Sequence, residues 1–224
     1  MTDRAALRRE ADDSARRLIA IYSRLAETRE HLFASVLQGC APAVWTHYPE
    51  GDAIDAANGY QWFYHSHSEE DRPDGAEHGH LHLFARRDRF APLARSKAEA
   101  DFSRLTHRAG RRAKTRHLLA IGFSTSGVPR HLFTVNSWVT GDLMLSAQAS
   151  AALLAQIRLA TGFAAVDGVI EAICRLCKPE IEALLADRDR ALGRGGQADV
   201  LGDQSLEMLS EVEIDLDRKL GLCD

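Results

Sequence analysis

Five of the ten histidines fall within residues 65–82, and they alternate. The stretch reads Tyr64-His65-Ser66-His67, a polar turn over 68–76, then Glu77-His78-Gly79-His80-Leu81-His82-Leu83-Phe84. Side chains in a strand point to opposite faces with period two. His65 and His67 therefore share one face of a first strand, and His78, His80 and His82 share one face of the next. Histidine is the commonest metal ligand and the side chain most easily protonated near neutral pH. Crowded imidazoles without a ligand must stay mostly neutral, because like charges oppose one another. A metal removes that conflict, since it selects the neutral form. The expected chemistry is ligation of one divalent transition metal by His65, His67, His78, His80 and His82. Nitrogen donors suit zinc, iron, copper or nickel rather than calcium or magnesium, with zinc or iron foremost here.

Hairpin arithmetic turns the count into a site. If the 68–76 turn joins the strands symmetrically, His67 faces His78, His65 faces His80 and Phe63 faces His82. Directly opposed residues have Cβ atoms about 4.5–5.5 Å apart, close enough for imidazoles to converge on one ion. A register slip of one would send one set to the other face. Trp62, Tyr64, Leu81 and Leu83 occupy that reverse face and have the character of core, which argues against a slip. Alternating histidines can also simply line a polar sheet face, but five on two adjoining strands favour a site. Glu77 adjoins the cluster and is the expected proton acceptor if a bulge at Gly79 re-aims it; in a regular strand it points away. Glu69, Glu70, Asp71 and Asp74 in the turn could instead supply an oxygen ligand or a proton acceptor.

These strands need a frame. Leu18, Ile21, Tyr22, Leu25, Leu32, Phe33 and Val36 recur at helical spacing, predicting a first helix over about 4–37 that Gly39 stops. After a short extended piece at 43–46 and a turn-rich stretch at 49–52, strands are expected over 60–67, 77–85, 116–124 and 130–140. His117 is placed with Leu119 and Ile121 on the third of these as a buried, hydrogen-bonded histidine. On the fourth, Thr134, Asn136, Trp138 and Thr140 share a face, and Asn136 and Trp138 are the expected substrate-binding residues. Equally, Trp138 is core and the polar groups pair across the sheet. From Ser146, a plausible N-cap, the reading is helical, with helices near 146–162, 166–177 and 179–192. The tail is ambiguous: Leu206, Leu209, Leu216 and Leu220 suit a helix, which is favoured, while Val212, Ile214 and Leu216 alternate as a strand would. The fold class expected is α+β in one domain over 1–224: an N-terminal helix over 1–38, an antiparallel sheet of at least four strands (two hairpins) over 42–142, and a helical group over 146–220.

Two motifs carry resemblances. His78-Gly79-His80-Leu81-His82-Leu83-Phe84 resembles the histidine-triad motif of nucleotide hydrolases and transferases, which implies His80 as a nucleophile; Gly79 stands where that family has a hydrophobic residue. His65-Ser66-His67 resembles the paired histidines of a cupin, although the glutamate and glycine spacing does not follow. The whole chain is similar to a bacterial family without assigned chemistry that carries the Glu-His-Gly-His block and a Leu-Phe-Thr…Asn…Trp-Val-Thr block. That last resemblance implies no mechanism.

Charge and composition bound the partners. Residues 86–116 hold eleven Lys/Arg against three acids, so the segment is +8 while the remainder is −12. With only Phe90 and Phe102 interleaved, it reads as a solvated helix rather than a nucleic-acid surface, and a phosphate-bearing substrate beside the histidines is the alternative. Four scattered cysteines do not make a disulfide scaffold, and Cys174 and Cys177 fall on an apolar helix face. No apolar h-region opens the chain and no run of about eighteen apolar residues occurs, so a cytoplasmic protein off the membrane is expected. The function expected is a histidine-ligated metalloenzyme, hydrolase or non-haem oxygenase, acting on a small molecule. The alternatives are a triad-like nucleotide hydrolase or transferase, and a non-catalytic metal-binding or structural protein.

Overall fold

A computed structural model describes residues 4–66, 77–108, 112–194 and 199–222. It opens with α1 (Arg4–Thr28) and α2 (Ala34–Leu37), followed by β1 (Tyr48–Asp55), β2 (Tyr60–His65) and β3 (Glu77–Arg86). Short α3 (Arg87–Phe90) and α4 (Lys97–Leu105) lead to β4 (Thr115–Ser124), β5 (Pro129–Val135), α5 (Ser137–Thr140) and β6 (Leu143–Met144). Then come α6 (Ala147–Ala155), α7 (Ala164–Leu176), α8 (Lys178–Arg194), β7 (Met208–Glu213) and α9 (Leu216–Leu220). The protein is α+β. Its sheet runs β1-β2-β3-β4-β5-β7, antiparallel throughout, with β6 adding a short parallel pairing to β4.

Alternation divides the sheet into two faces. Tyr60, Trp62, Tyr64, Leu81, Leu83, Leu119, Ile121 and Leu132 are each 0 % exposed and pack against the helices. This helical face is the reverse face that the sequence pattern assigns to the core. Polar tips of its large side chains anchor the layers: Tyr60 Oη donates to the Leu153 carbonyl (2.9 Å) and Trp62 Nε1 to Asp167 (3.0 Å). Helices α1 and α7 approach closely at Gly168, where a Cβ would stand 2.7 Å from Ile21 Cδ1. Phe63, His65, His80, His82 and Phe133 lie on the other face.

The hairpin register agrees with the arithmetic: His65 pairs with His80 and Phe63 with His82. Elsewhere the boundaries differ for identifiable reasons. The first helix ends at Thr28, short of the expected 37–38, because Arg29 turns to a left-handed φ of 55° before α2 begins. Residues 49–52, expected as a turn, lie inside β1, whose pairing with β2 is irregular between Tyr48 and Ala53. The fourth expected strand stops at Val135, because the Asn136 side chain caps α5 by accepting from the Ser137 amide. In the tail the alternation prevails over the helical spacing: Met208–Glu213 forms β7 against β5, and only Leu216–Leu220 is helical.

Candidate metal centre

Two bulges decide which histidines meet. Between β3 and β4, Glu77 pairs with Ser124 but Gly79 pairs with Phe123, so His78 is the extra residue. A bulge resets the alternation of its strand. The His78 ring therefore turns to the helical face, where Nδ1 meets the Tyr64 hydroxyl at 2.5 Å and the ring lies 4.7 Å from that of His31. The backbone at Gly79 passes so close to β2 that a Cβ would collide with Tyr64 Oη and stand 2.5 Å from the His65 carbonyl. Lower down, Leu83 pairs with Leu119 and Phe84 with His117, leaving Leu118 as the extra residue of β4. That shift moves His117 off the face of Leu119 and Ile121, where the sequence placed it, and onto the face of His82.

The result is a compact group. His65, His80 and His82, 9 %, 3 % and 2 % exposed, each offer a ring nitrogen, and these nitrogens all lie within 4.8 Å of one another. Nε2 of His65 and Nε2 of His80 are 2.5 Å apart. Two ligands on a tetrahedral ion with bonds of about 2.05 Å sit roughly 3.3 Å from each other, a separation that the observed spread brackets. The three can hold a metal ion.

The surroundings disfavour the charged form of His82 and of its neighbour His117. Burial, and then the neighbouring His80, His117, His65 and His47, push the His82 pKa well below its ordinary 6.5. Burial, reinforced by Arg188, pushes that of His117 down to about 3. Nε2 of His117 meets Nδ1 of His82 at 3.0 Å. A ligating histidine commonly donates its second ring N–H to a fixed partner, which sets tautomer and ring orientation, and His117 stands in that position.

In front of the trio lies a cavity of about 180 Å³. Phe63, Phe133, Val135 and Val139 give it apolar walls, His47 and Trp45 stand at one side, and Thr140, Glu207 and Met208 complete the lining. His47 stacks on Phe63 at 3.7 Å and 8°.

A family model described as "Domain of unknown function (DUF6969)" matches residues 12–214. The chain belongs to that family. No curated protein and no solved structure matches it. The matched span includes all three histidines of the group, His117 and every described residue of the cavity lining.

Of the residues expected from the sequence, the structure brings His65, His80 and His82 together, places His78 on the opposite face, and leaves His67 outside the described residues. Glu77 pairs through its backbone with Ser124, and its side chain also lies outside what is described. Asn136 is 0 % exposed, its amide donating to the Val200 carbonyl at 2.9 Å, and Trp138 Nε1 donates to the Leu206 carbonyl at 3.1 Å. Neither borders the cavity; Val135, Val139 and Thr140 around them do. Cys174 and Cys177 are buried and free, and burial raises both thiol pKa values, that of Cys177 to about 12. Sequence reasoning passed over His47 and Glu207; it took His117 as a buried, hydrogen-bonded histidine, which it is, but placed it on the other face, away from the group. For His117 no local signal existed, because its face depends on the bulge at Leu118. For His47 the signal was its place two residues beyond Trp45, close ahead of the first histidine strand.

Proposed function

We propose that this protein is a mononuclear metalloenzyme in which His65, His80 and His82 hold zinc or iron. A small molecule held in the adjoining cavity would be its substrate. The observation carrying this reading is the convergence of three buried imidazole nitrogens within 4.8 Å at the wall of a cavity. Three protein ligands leave at least one position for water or substrate, as catalytic sites require. The ion would act as a Lewis acid or make a bound water nucleophilic near neutral pH. The chain's own contribution is a set of three buried nitrogen donors, a lining with aromatic and aliphatic walls, and one carboxylate, Glu207, at that lining to take a proton.

In the triad-like alternative His80 is the nucleophile and its neighbouring histidines hold the phosphate; added lysine or arginine beside them would favour it. Among the described lining residues there is no lysine or arginine, and Arg86, Arg87, Arg112 and Lys114 border a separate groove. No described helix is long and apolar enough to cross a membrane.

Protein purified without chelator or a histidine tag, then analysed for metal, tests the proposal. About one equivalent of zinc or iron is expected, with substrate turnover or oxygen consumption lost on chelation and restored with the ion. Absence of metal together with no binding of zinc, iron or copper on reconstitution would sink it.

A further inference from the structure

We infer that the cavity takes an apolar, ring-sized molecule bearing one metal-ligating oxygen group, rather than a phosphorylated or multiply charged substrate. This deepens the metalloenzyme reading and rests on it only for which end of the molecule faces the histidines.

Size is the first argument. An engineered apolar cavity of roughly 150 Å³ holds benzene, and this one measures about 180 Å³. The histidine trio, Phe63 and Phe133 all line it. Phe63 on β2 lies 5.1 Å from the His82 ring, and Phe133 on β5 lies 5.0 Å from the His80 ring. A planar guest beside the histidines therefore has two phenyl rings within reach, for the offset or edge-on arrangements that aromatic pairs favour.

Charge is the second argument. Four imidazoles, two valines and two phenylalanines line the space, and the described lining holds one acid, Glu207, and no lysine or arginine. A phosphate group placed there could reach the ion through an oxygen, but the rest of its charge would lose water without the lysine or arginine partners that normally compensate it. A single ligating oxygen group is satisfied by the ion itself.

The rim supplies the third. Trp45 is 64 % exposed at a left-handed φ of 61° and stands edge-on to His65 at 6.3 Å between centroids. A tryptophan in that conformation is uncommon and costs backbone energy, which an outlier at a functional site explains. Met208, 37 % exposed, sits on the same lining. Trp45 and Met208 thus give the mouth an apolar edge, beside the single carboxylate of Glu207.

Two measurements test the inference separately from the metal. In the first, the ¹⁹F signal of fluorobenzene is followed with metal-free and metal-loaded protein. Saturable broadening is expected in at least one form, and it should disappear in Val139→Trp, which fills the cavity from α5. Met208→Trp, at an exposed rim position, blocks the same space should the first variant fail to fold. In the second, cobalt-loaded protein is titrated with acetohydroxamate, benzohydroxamate and inorganic phosphate, read from the cobalt absorption bands. The two hydroxamates share a metal-binding head, so the added ring isolates the cavity. A preference for benzohydroxamate on the order of tenfold to a hundredfold is expected from the apolar area buried, with phosphate weakest. Equal hydroxamate affinities, phosphate binding tightest, or no fluorobenzene binding in either form overturns the inference. Failure of the metal reading looks different: fluorobenzene binds, and no stoichiometric cobalt is retained.

Discussion

Strand β3 presents histidine to both faces of one sheet, and the two faces treat it differently. On one, His80 and His82 join His65 in a group whose nitrogens are directed at each other beside a cavity. On the other, His78 lies beside His31, its ring tilted against that one, and meets the Tyr64 hydroxyl close to Phe33. The residue type and the strand are the same, and only the bulge at His78 and Gly79 separates them. A histidine becomes a candidate ligand here through the neighbours that its register gives it. The pair on the helical face fills space and bridges the α1–α2 connection to the sheet.

Metal content draws the sharpest line between the faces. His80→Ala, His65→Ala and His82→Ala should each lose stoichiometric metal. His78→Ala should keep it while losing about 1–2 kcal/mol of stability from the Tyr64 hydrogen bond and ring packing. Metal analysis beside denaturant unfolding of the four variants checks this. Equal metal loss in His78→Ala would erase the distinction.

The bulge itself can be attacked. Gly79→Ala places a methyl group against Tyr64 Oη and the His65 carbonyl, so it disturbs both faces at once. A stability loss of about 1–3 kcal/mol is expected from the overpacking, together with weaker metal binding, because His65 is displaced. Unfolding and metal titration of the same sample should change together.

His117→Ala removes the partner of His82 Nδ1, and metal affinity should fall about 10–100-fold. His117→Gln, which can still accept that hydrogen bond, should recover most of the loss. Competition against a chelator of known affinity measures both.

Acidity separates the faces most gently. The pKa values of His82, His117, His78 and His31 are all lowered in the fold, by burial first in each case. Below pH of about 6.5 the unfolded chain takes up protons that the folded chain refuses. The associated stability is therefore fully present above that pH and is lost as pH falls toward the folded values, reaching about 3 for His117. Metal-free protein should lose stability steadily below pH of about 6.5. His117→Gln should flatten the slope clearly, and His31→Gln should flatten it only slightly. Thermal unfolding from about pH 8 to about pH 4 follows both.

The sequence discloses the part of this architecture that rests on strict alternation. The hairpin register follows because both strands alternate and the reverse face is uniformly apolar, from Trp62 and Tyr64 to Leu81 and Leu83. The faces of His78 and His117 do not follow, since each depends on one extra residue, at His78 and at Leu118, that pairing with a distant strand determines. Gly79 gave a hint of the first bulge, and nothing local marked the second. Strand β7 was similarly obscure: a six-residue segment with both periodicities becomes a strand only because β5 offers an edge. Asn136, expected in a pocket wall, was a strand residue by its place in the alternation and a helix cap by its hydrogen bond to Ser137.

That all three donors sit on β2 and β3 has a kinetic consequence. The site needs no distant strand to be complete; closing one hairpin brings its nitrogens together, and hairpins close in roughly 1–10 μs. An ion that ties His65 to His80 and His82 would hold the centre of the sheet before β4, β5 and β7, which lie far along the chain, have paired. Long-range pairing is the slow part of folding a sheet of this topology. The metal would then work as a folding template as well as a reaction centre, and refolding with and without zinc should differ in the early phase.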